Sequence, residues 1–323
     1  MLYLNADNIK EIGTAWDVLT GVIENSVHAL NQNDFSQPIK PYLRYGDAKN
    51  RIIAMPAYVG GNAPLAGIKW IASFPDNIYK NKLRANSVTI LNEHDSGVPI
   101  CVINTSLISA VRTAAVSGVL IKEYIKVSDK NRDLHVSING FGPIGRTHLQ
   151  MVTSLLGDRI EKIYLYDING IDIDTIDSAY KHKVVVASSW EEGYAVSNIY
   201  ITCTVSDSPY VDKPPVKGSL QLNVSLRDYK TSIRQYIDVM VVDDWDEVCR
   251  QNTDIENMHK QVGLQKSDTV SIADVVCREA LKGQDESAVF MFNPMGMAIF
   301  DIAIGGYYYQ EAMSKGVGSI MPN

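Results

Sequence analysis

Cysteine is scarce in this 323-residue chain: Cys101, Cys203, Cys249 and Cys277 are scattered, with no CxxC spacing among them. That spacing argues against a disulfide framework and against a zinc site built on cysteine pairs. The six histidines are equally dispersed, so no metal is expected. Basic residues are also in deficit, 30 Lys and Arg against 37 Asp and Glu. A net charge of −7 leaves no electrostatic footprint for nucleic acid or an anionic membrane surface. No apolar run reaches the roughly 18 residues a membrane span requires. The opening Met-Leu-Tyr-Leu-Asn-Ala-Asp has neither the basic start nor the apolar core of a signal peptide, so the cytoplasm is the expected compartment. Internal repeats and low-complexity tracts are absent too.

What the chain does have is a dinucleotide fingerprint. Residues 134–145 read Leu-His-Val-Ser-Ile-Asn-Gly-Phe-Gly-Pro-Ile-Gly, a β-branched strand running into a glycine turn. Gly140 permits the tight turn, Gly142 lets backbone approach a pyrophosphate, and Gly145 lets the next helix pack on the strand. The N–H groups that open this helix present the favourable end of its dipole to phosphate. Asp167 comes 22 residues after Gly145, at the end of the apolar run Ile163–Leu165, where a carboxylate accepts both ribose hydroxyls. A 2′-phosphate would be repelled there, and Ile168-Asn169-Gly170 offers no cation to neutralise it. The expected cofactor is therefore NAD rather than NADP.

The fingerprint starts late. Residues 1–133 precede it, which is the length of a separate domain. Helical spacing of Ile9, Ile12, Trp16, Leu19, Ile23, Val27 and Leu30 predicts a helix over 7–31. Strand-like runs come next at 51–56, 65–71 and 87–92, the last forming a hairpin with 98–103 through Glu93–Gly97. A helix is expected from Thr105 to about Tyr124, and a polar link over 129–133. Beyond Asp167, strands at 183–187, 198–204, 219–224 and 239–244 alternate with helical stretches, with a helix starting at Ser189-Trp-Glu-Glu. That alternation implies a parallel sheet wrapped by helices. Segment 246–290 reads as polar and mostly helical, and a final helix is expected from the Phe290–Ile299 stretch to about Lys315.

Two cations stand in apolar surroundings. Lys69 lies within Ala-Gly-Ile-Lys-Trp-Ile-Ala, and Arg112 within Ser-Ala-Val-Arg-Thr-Ala-Ala-Val. Either each snorkels from a buried element, or each meets an anion, such as the carboxylate of an amino-acid-like substrate. Asp228 comes after the apolar strand Leu220–Val224 and falls where open α/β sheets bind ligands; as a turn residue it can also simply cap the next element. Asn293-Pro-Met-Gly-Met-Ala is expected to open a helix whose free N–H groups face a cofactor, or to initiate a helix with Pro294 in its first turn. Cys203, with no base near it in sequence, reads as a core thiol, and Tyr307-Tyr-Tyr309 as packing or interface.

Taken together, Pro41-Tyr-Leu-Arg44, Arg51-Ile-Ile-Ala-Met-Pro56, Gly67-Ile-Lys69, Leu107–Ala115, Gly140–Gly145, Thr202-Cys-Thr204 and Asn293–Ala298 resemble the ornithine cyclodeaminase/μ-crystallin family over nearly the whole chain. The wording around Lys40–Arg44, Asp243-Asp-Trp245 and Asn293–Ala298 is similar to the branch that works in siderophore pathways. The resemblance implies an α/β fold: a Rossmann-type doubly wound parallel sheet (121–300) inserted in a second α+β domain (1–120 plus 301–323) for substrate binding and dimerisation. It implies a homodimer acting on a small amino-acid-derived substrate. Arg44, Met55, Lys69 and Arg112 match substrate-binding positions, and Lys69 and Asp228 are the catalytic candidates. Arg112, Thr113, Gly140, Phe141, Gly142, Pro143, Ile144, Gly145, Asp167, Thr202, Thr204, Ser225, Met295 and Gly296 fall at cofactor positions. One departure stands out: Phe300 precedes Asp301 where the family often has Glu or Gln.

The implied activity is NAD-dependent oxidation of a secondary amine followed by imine hydrolysis. For the siderophore branch it converts N-(2-amino-2-carboxyethyl)-L-glutamate to L-2,3-diaminopropionate and 2-oxoglutarate. The family also offers ornithine cyclodeamination, alanine dehydrogenation, ketimine reduction and non-catalytic nucleotide binding as alternatives.

Overall fold

The computed structural model describes residues 1–47, 49–129 and 132–322. Lys130 and Asn131, in the middle of the expected polar link, lie outside the described residues. The chain divides into two compact units, Met1–Arg112 with Gly296–Asn323, and Thr113–Met295.

In the first unit the strands are β1 (Leu2–Asn5), β2 (Phe35–Ser36), β3 (Tyr42–Leu43), β4 (Arg51–Val59), β5 (Leu65–Ser73), β6 (Ala85–Asn92) and β7 (Pro99–Asn104). With the closing strand Ser319–Ile320 they form one sheet, ordered Ser319–Ile320, β1, β7, β6, β5, β4, β2, with β3 also on β4. The β1–β7 pair is parallel and the rest are antiparallel. The expected helix over 7–31 is two helices, Ala6–Ile12 and Trp16–Asn31, because Gly13 leaves the helical region at φ 84°.

Side chains alternate across this sheet, as the pleat requires. Met55, Ala57, Val59, Lys69, Thr89, Leu91, Cys101 and Ile103 are buried on one face. The helix Ala298–Lys315 packs there, and Gly67 and Gly306 make room for it. A Cβ on Gly67 would come 3.0 Å from the Ile302 side chain, and one on Gly306 would come 2.8 Å from Leu65. On the opposite face Ile68, Val88, Ile90 and Val102 are half-buried and Trp70 is 44% exposed.

The second unit is the expected doubly wound sheet. Its strands are β8 (Leu134–Asn139), β9 (Ile160–Tyr166), β10 (Val184–Val186), β11 (Ile199–Thr202), β12 (Leu220–Asn223), β13 (Val239–Val242), β14 (Thr269–Ser271) and β15 (Phe290–Asn293). They run in the order β10-β9-β8-β11-β12-β15-β13-β14, all parallel. Every residue of β11, β12, β13 and β15 is buried, so β13 reads as an unbroken apolar run, while β12 alternates and satisfies its buried Gln221 and Asn223 by side-chain hydrogen bonds. Strand order reverses between β8 and β11, and that reversal defines the ligand-binding edge of such sheets.

Two expectations fail here. Segment 246–290 is only partly helical: Trp245–Val248, Asp254–Val262 and Ile272–Arg278 are short helices, and β14 and the start of β15 interrupt them. Phe290–Asn293 does not begin the last helix. It is a strand in the middle of the sheet, and the helix starts at Ala298 with Met297 in the cap position, so Pro294 lies outside its first turn. A four-residue apolar run carries no period that distinguishes a buried strand from a helix.

The glycine turn after β8 is tightly built. Gly140 adopts φ 89°, and a Cβ on Gly145 would lie 2.0 Å from the Gly140 carbonyl oxygen. Gly145→Ala should therefore lower stability by about 1–3 kcal/mol, read as an earlier urea midpoint; a wild-type midpoint would contradict this packing.

Candidate active site

Each unit gathers its own group of candidate side chains. In the first, Lys69 stands at the middle of β5 on the helix-covered face, with Met55 and Thr89 as its cross-strand neighbours. Asp301, in the first turn of the helix Ala298–Lys315, meets it: Lys69 Nζ lies 2.8 Å from Asp301 Oδ2. The other carboxylate oxygen accepts from Arg112 Nε at 2.8 Å. The Ser109 hydroxyl lies 3.4 Å from Lys69 Nζ. Lys40 is buried as well and donates to the Gly296 carbonyl at 2.7 Å. Gly296 sits at φ 82°, and a Cβ there would fall 2.4 Å from Arg112 Nη1, so glycine is needed for the guanidinium to reach its place.

The electrostatics are set by burial. Lys69 is 1% exposed, so loss of hydration pushes its pKa down. Asp301 pulls it back up while Arg112 and Lys40 push it down, and it settles at about 8. For Asp301, burial opposes ionisation, but Arg112 and Lys69 outweigh it and hold its pKa below the usual carboxylate range. The carboxylate also lies at the favourable end of its helix dipole. The outcome is an ammonium poised near neutrality beside a permanently charged guanidinium. Such a pair suits carboxylate capture and proton transfer.

In the second unit the glycine loop and Asp167 are joined directly. Asp167 Oδ2 accepts the Phe141 N–H at 2.7 Å, and Oδ1 accepts the Asn169 N–H at 2.9 Å. Gly140 N–H donates to the Tyr166 carbonyl at 2.9 Å, locking the turn to the end of β9. The helix Pro143–Leu156 opens from Gly142 with no side-chain cap, and a Cβ on Gly142 would meet nothing within 4 Å. Uncapped amides, open space before the loop and a carboxylate at the next strand end are what a dinucleotide's pyrophosphate and ribose require. Ile144 and Gly145 lie in the first turn of that helix.

Asp228 is fully buried beyond β12. Its Oδ1 accepts the Thr204 hydroxyl at 2.6 Å, and its Oδ2 has no partner among the described residues. Burial pushes its pKa up, and the Ser225, Thr204, Tyr210 and Thr202 hydroxyls partly offset that. Thr202 and Ser225 lie 3.2 Å apart beside it. The carboxylate is bonded to a hydroxyl rather than to a helix terminus, so it caps nothing. Met295 N–H donates to Asp243 at 3.0 Å, and Thr113 is half-buried in the helix Leu107–Val127.

Three further residues singled out in the sequence are placed as follows. Arg44 is exposed, with its guanidinium 5.5 Å from the Tyr42 ring centroid. Phe300, the departure in the last motif, is fully buried core, and the adjacent Asp301 carries the charge. Cys203 does have an imidazole nearby, with its sulfur 3.9 Å from His148 Nδ1. That nitrogen lies 2.8 Å from the Ile144 carbonyl and burial pushes the imidazole down to about 4, while burial pushes the thiol up. Cys203 is therefore no activated nucleophile. Lys40 and Asp301 are members of the first group that sequence patterning does not single out.

Replacing Asp301 by Asn would leave two buried cations without their shared carboxylate. The expected cost is about 3–5 kcal/mol, measured by urea unfolding; a change below about 1 kcal/mol would mean the charges are solvated.

The sequence pattern of the Ornithine cyclodeaminase/mu-crystallin family matches residues 4–316. N-((2S)-2-amino-2-carboxyethyl)-L-glutamate dehydrogenase of Staphylococcus aureus (strain NCTC 8325 / PS 47) is 33% identical, over 99% of this chain and 98% of its own. Among solved structures, Thermococcus litoralis Delta(1)-pyrroline-2-carboxylate reductase, in complex with NADH and L-proline, aligns with TM-score 0.88 at 22% identity. That alignment covers 99% of this chain and 100% of the other. An archaeal alanine dehydrogenase dimer with bound NAD aligns with TM-score 0.82 at 22% identity, over 100% and 99% of the two chains. These likenesses show the same fold, and the pattern match shows the lineage: the chain belongs to the ornithine cyclodeaminase/mu-crystallin family.

Proposed function

We propose that this enzyme is an NAD-dependent oxidoreductase that converts N-(2-amino-2-carboxyethyl)-L-glutamate, NAD⁺ and water to L-2,3-diaminopropionate, 2-oxoglutarate, NADH and a proton. The observation that carries the reading is the buried Lys69–Asp301–Arg112 group, which suits a substrate rich in carboxylates. The 33% identity to the Staphylococcus aureus dehydrogenase supports the particular substrate.

The residues divide the work. Arg112 and Lys69, with Arg44 and Met55 beside them in sequence role, bind and orient the substrate carboxylates; orientation is itself a large share of the rate. NAD, held by Gly140–Gly145, Asp167, Thr202, Thr204, Ser225, Met295 and Gly296 together with Arg112 and Thr113, supplies the hydride acceptor. Asp228, its Oδ2 unpartnered and its pKa raised, takes the proton from the substrate nitrogen as the C–N bond becomes an imine. Lys69 then handles the proton on the water that adds to the imine carbon, before the C–N bond breaks. On this reading the enzyme works in the cytoplasm, supplying diaminopropionate to siderophore assembly.

The half-buried apolar sheet face, with Ile68, Val88, Ile90 and Val102 around Trp70, is what a second copy of the chain would cover. We read the enzyme as a homodimer through that face. Trp70→Arg should shift the wild-type dimer to monomer in analytical ultracentrifugation; an unshifted dimer, or a monomeric wild type, would contradict it.

Mixing the purified enzyme with NAD and the conjugate should generate NADH in step with 2-oxoglutarate, and Lys69→Met should lower kcat by about 10²–10⁴-fold. Ammonia release from ornithine without net NADH, in place of that signal, would overturn the reading in favour of cyclodeamination.

A further inference from the structure

The segment that carries Asp228 is held in an unfavourable conformation. Leu226, two residues earlier, adopts φ 63°, a left-handed backbone that costs a non-glycine residue about 1 kcal/mol or more. The gain that maintains it comes from hydrogen bonds. Leu226 N–H donates to Asn223 Oδ1 at 3.1 Å, and the Leu226 carbonyl accepts the Asp254 N–H at 2.8 Å. Asp254 Oδ2 accepts the N–H of Asp228 and the N–H of Tyr229, both at 3.1 Å, and the Asn223 amide at 3.0 Å. Asn223 in turn donates to Asn293 Oδ1 at 2.8 Å and accepts the Thr202 hydroxyl at 3.4 Å. One carboxylate therefore ties the backbone of Asp228 to the carboxyl ends of β11, β12 and β15.

We infer that Asp254 is the positioning residue for Asp228: its carboxylate fixes the backbone that aims the Asp228 carboxyl at its proton. Asp254 is itself fully buried and touches no part of the cofactor loop in these bonds. Its second oxygen, Oδ1, has no partner among the described residues. A buried carboxyl with an orphaned oxygen is a liability for stability, and burial pushes its pKa up to about 7. An apolar side chain there would avoid that cost but would leave the Asp228 and Tyr229 amides unpaired. The retained carboxylate makes sense as a fixture for the segment carrying the acid.

The inference rests on the role given to Asp228 above, so the test includes that residue. Steady-state kinetics and NAD titration are compared for wild type, Asp228→Asn, Asp254→Ala and Asp254→Asn. Asp228→Asn should be nearly inactive; if it turns over normally, the proposed proton-transfer role fails first, and the positioning role with it. Asp254→Ala should lower kcat by about 10- to 100-fold, with substrate KM and NAD Kd within about threefold of wild type. Asp254→Asn keeps an oxygen at the Oδ2 position that accepts all three N–H groups and places its own NH2 at the unpartnered Oδ1 position, so its kcat should stay within about threefold of wild type; a kcat as low as that of Asp254→Ala would contradict positioning through these bonds. Wild-type kcat in Asp254→Ala, beside an inactive Asp228→Asn, overturns the positioning role and spares the function. So does a rise in KM and Kd that matches the fall in kcat, since that marks general damage. Where Asp254→Ala does not fold, Asp254→Ser, whose side chain ends one bond short of the Oδ2 position, is measured in its place: kcat at least about threefold lower with KM unchanged supports the role, and wild-type kcat rejects it.

Discussion

One buried carboxylate, Asp301, organises the first unit. Two cations from separate elements, Lys69 on β5 and Arg112 on the helix Leu107–Val127, converge on its two oxygens. Burying either cation alone would be prohibitive, and the shared acid makes both tolerable. Much of the surrounding architecture answers to that requirement. The helix Ala298–Lys315 must lie close enough to the sheet for its first turn to reach Lys69, hence glycine at 67 and 306. Gly296 must lack a Cβ for the Arg112 guanidinium to fit. The same arrangement leaves Lys69 with a pKa near physiological pH, where an ammonium can both hold an anion and exchange a proton.

The second unit solves a related problem by different means. Its two acids Asp228 and Asp254 are held by neutral donors among the described residues. Asp228 receives the Thr204 hydroxyl, and Asp254 receives two backbone amides and the Asn223 side chain. Neutral donors stabilise a carboxylate less than a guanidinium does, so burial wins and both pKa values rise. Asp301 is thus kept charged, while Asp228 and Asp254 are kept ready to accept a proton. The difference lies in the partners available at each site and not in residue type.

How much of this is legible in the sequence depends on range. The glycine loop and Asp167 can be read because each glycine answers a local steric need, and the structure bonds Asp167 to Phe141 within that loop. Lys69 and Arg112 are visible as charges in apolar runs, since burial of charge always needs an explanation. Their common partner is not. Asp301 lies 189 residues from Arg112, and nothing in the wording around it announces the pairing. Phe300 beside it stands out as a departure, yet it is ordinary core. Asp254 sits at the start of a polar helix where an acid is unremarkable, and only the fold brings it to Asp228. The strand Phe290–Asn293 reads as part of the last helix because a short apolar run has no period to betray it. Cys203 and His148 are 55 residues apart, so their proximity is likewise a property of the fold alone.

Burial and Asp301 together set the ionisation of Lys69, and on that claim the reading of the first unit stands. The direct measurement is an NMR titration of the lysine side chains, with the Lys69 signal assigned by its loss in Lys69→Arg. The account predicts a midpoint at about 8, against 10.5 for an ordinary lysine. A Lys69 midpoint at the ordinary value would contradict it, because burial and the neighbouring cations would then not outweigh the Asp301 carboxylate.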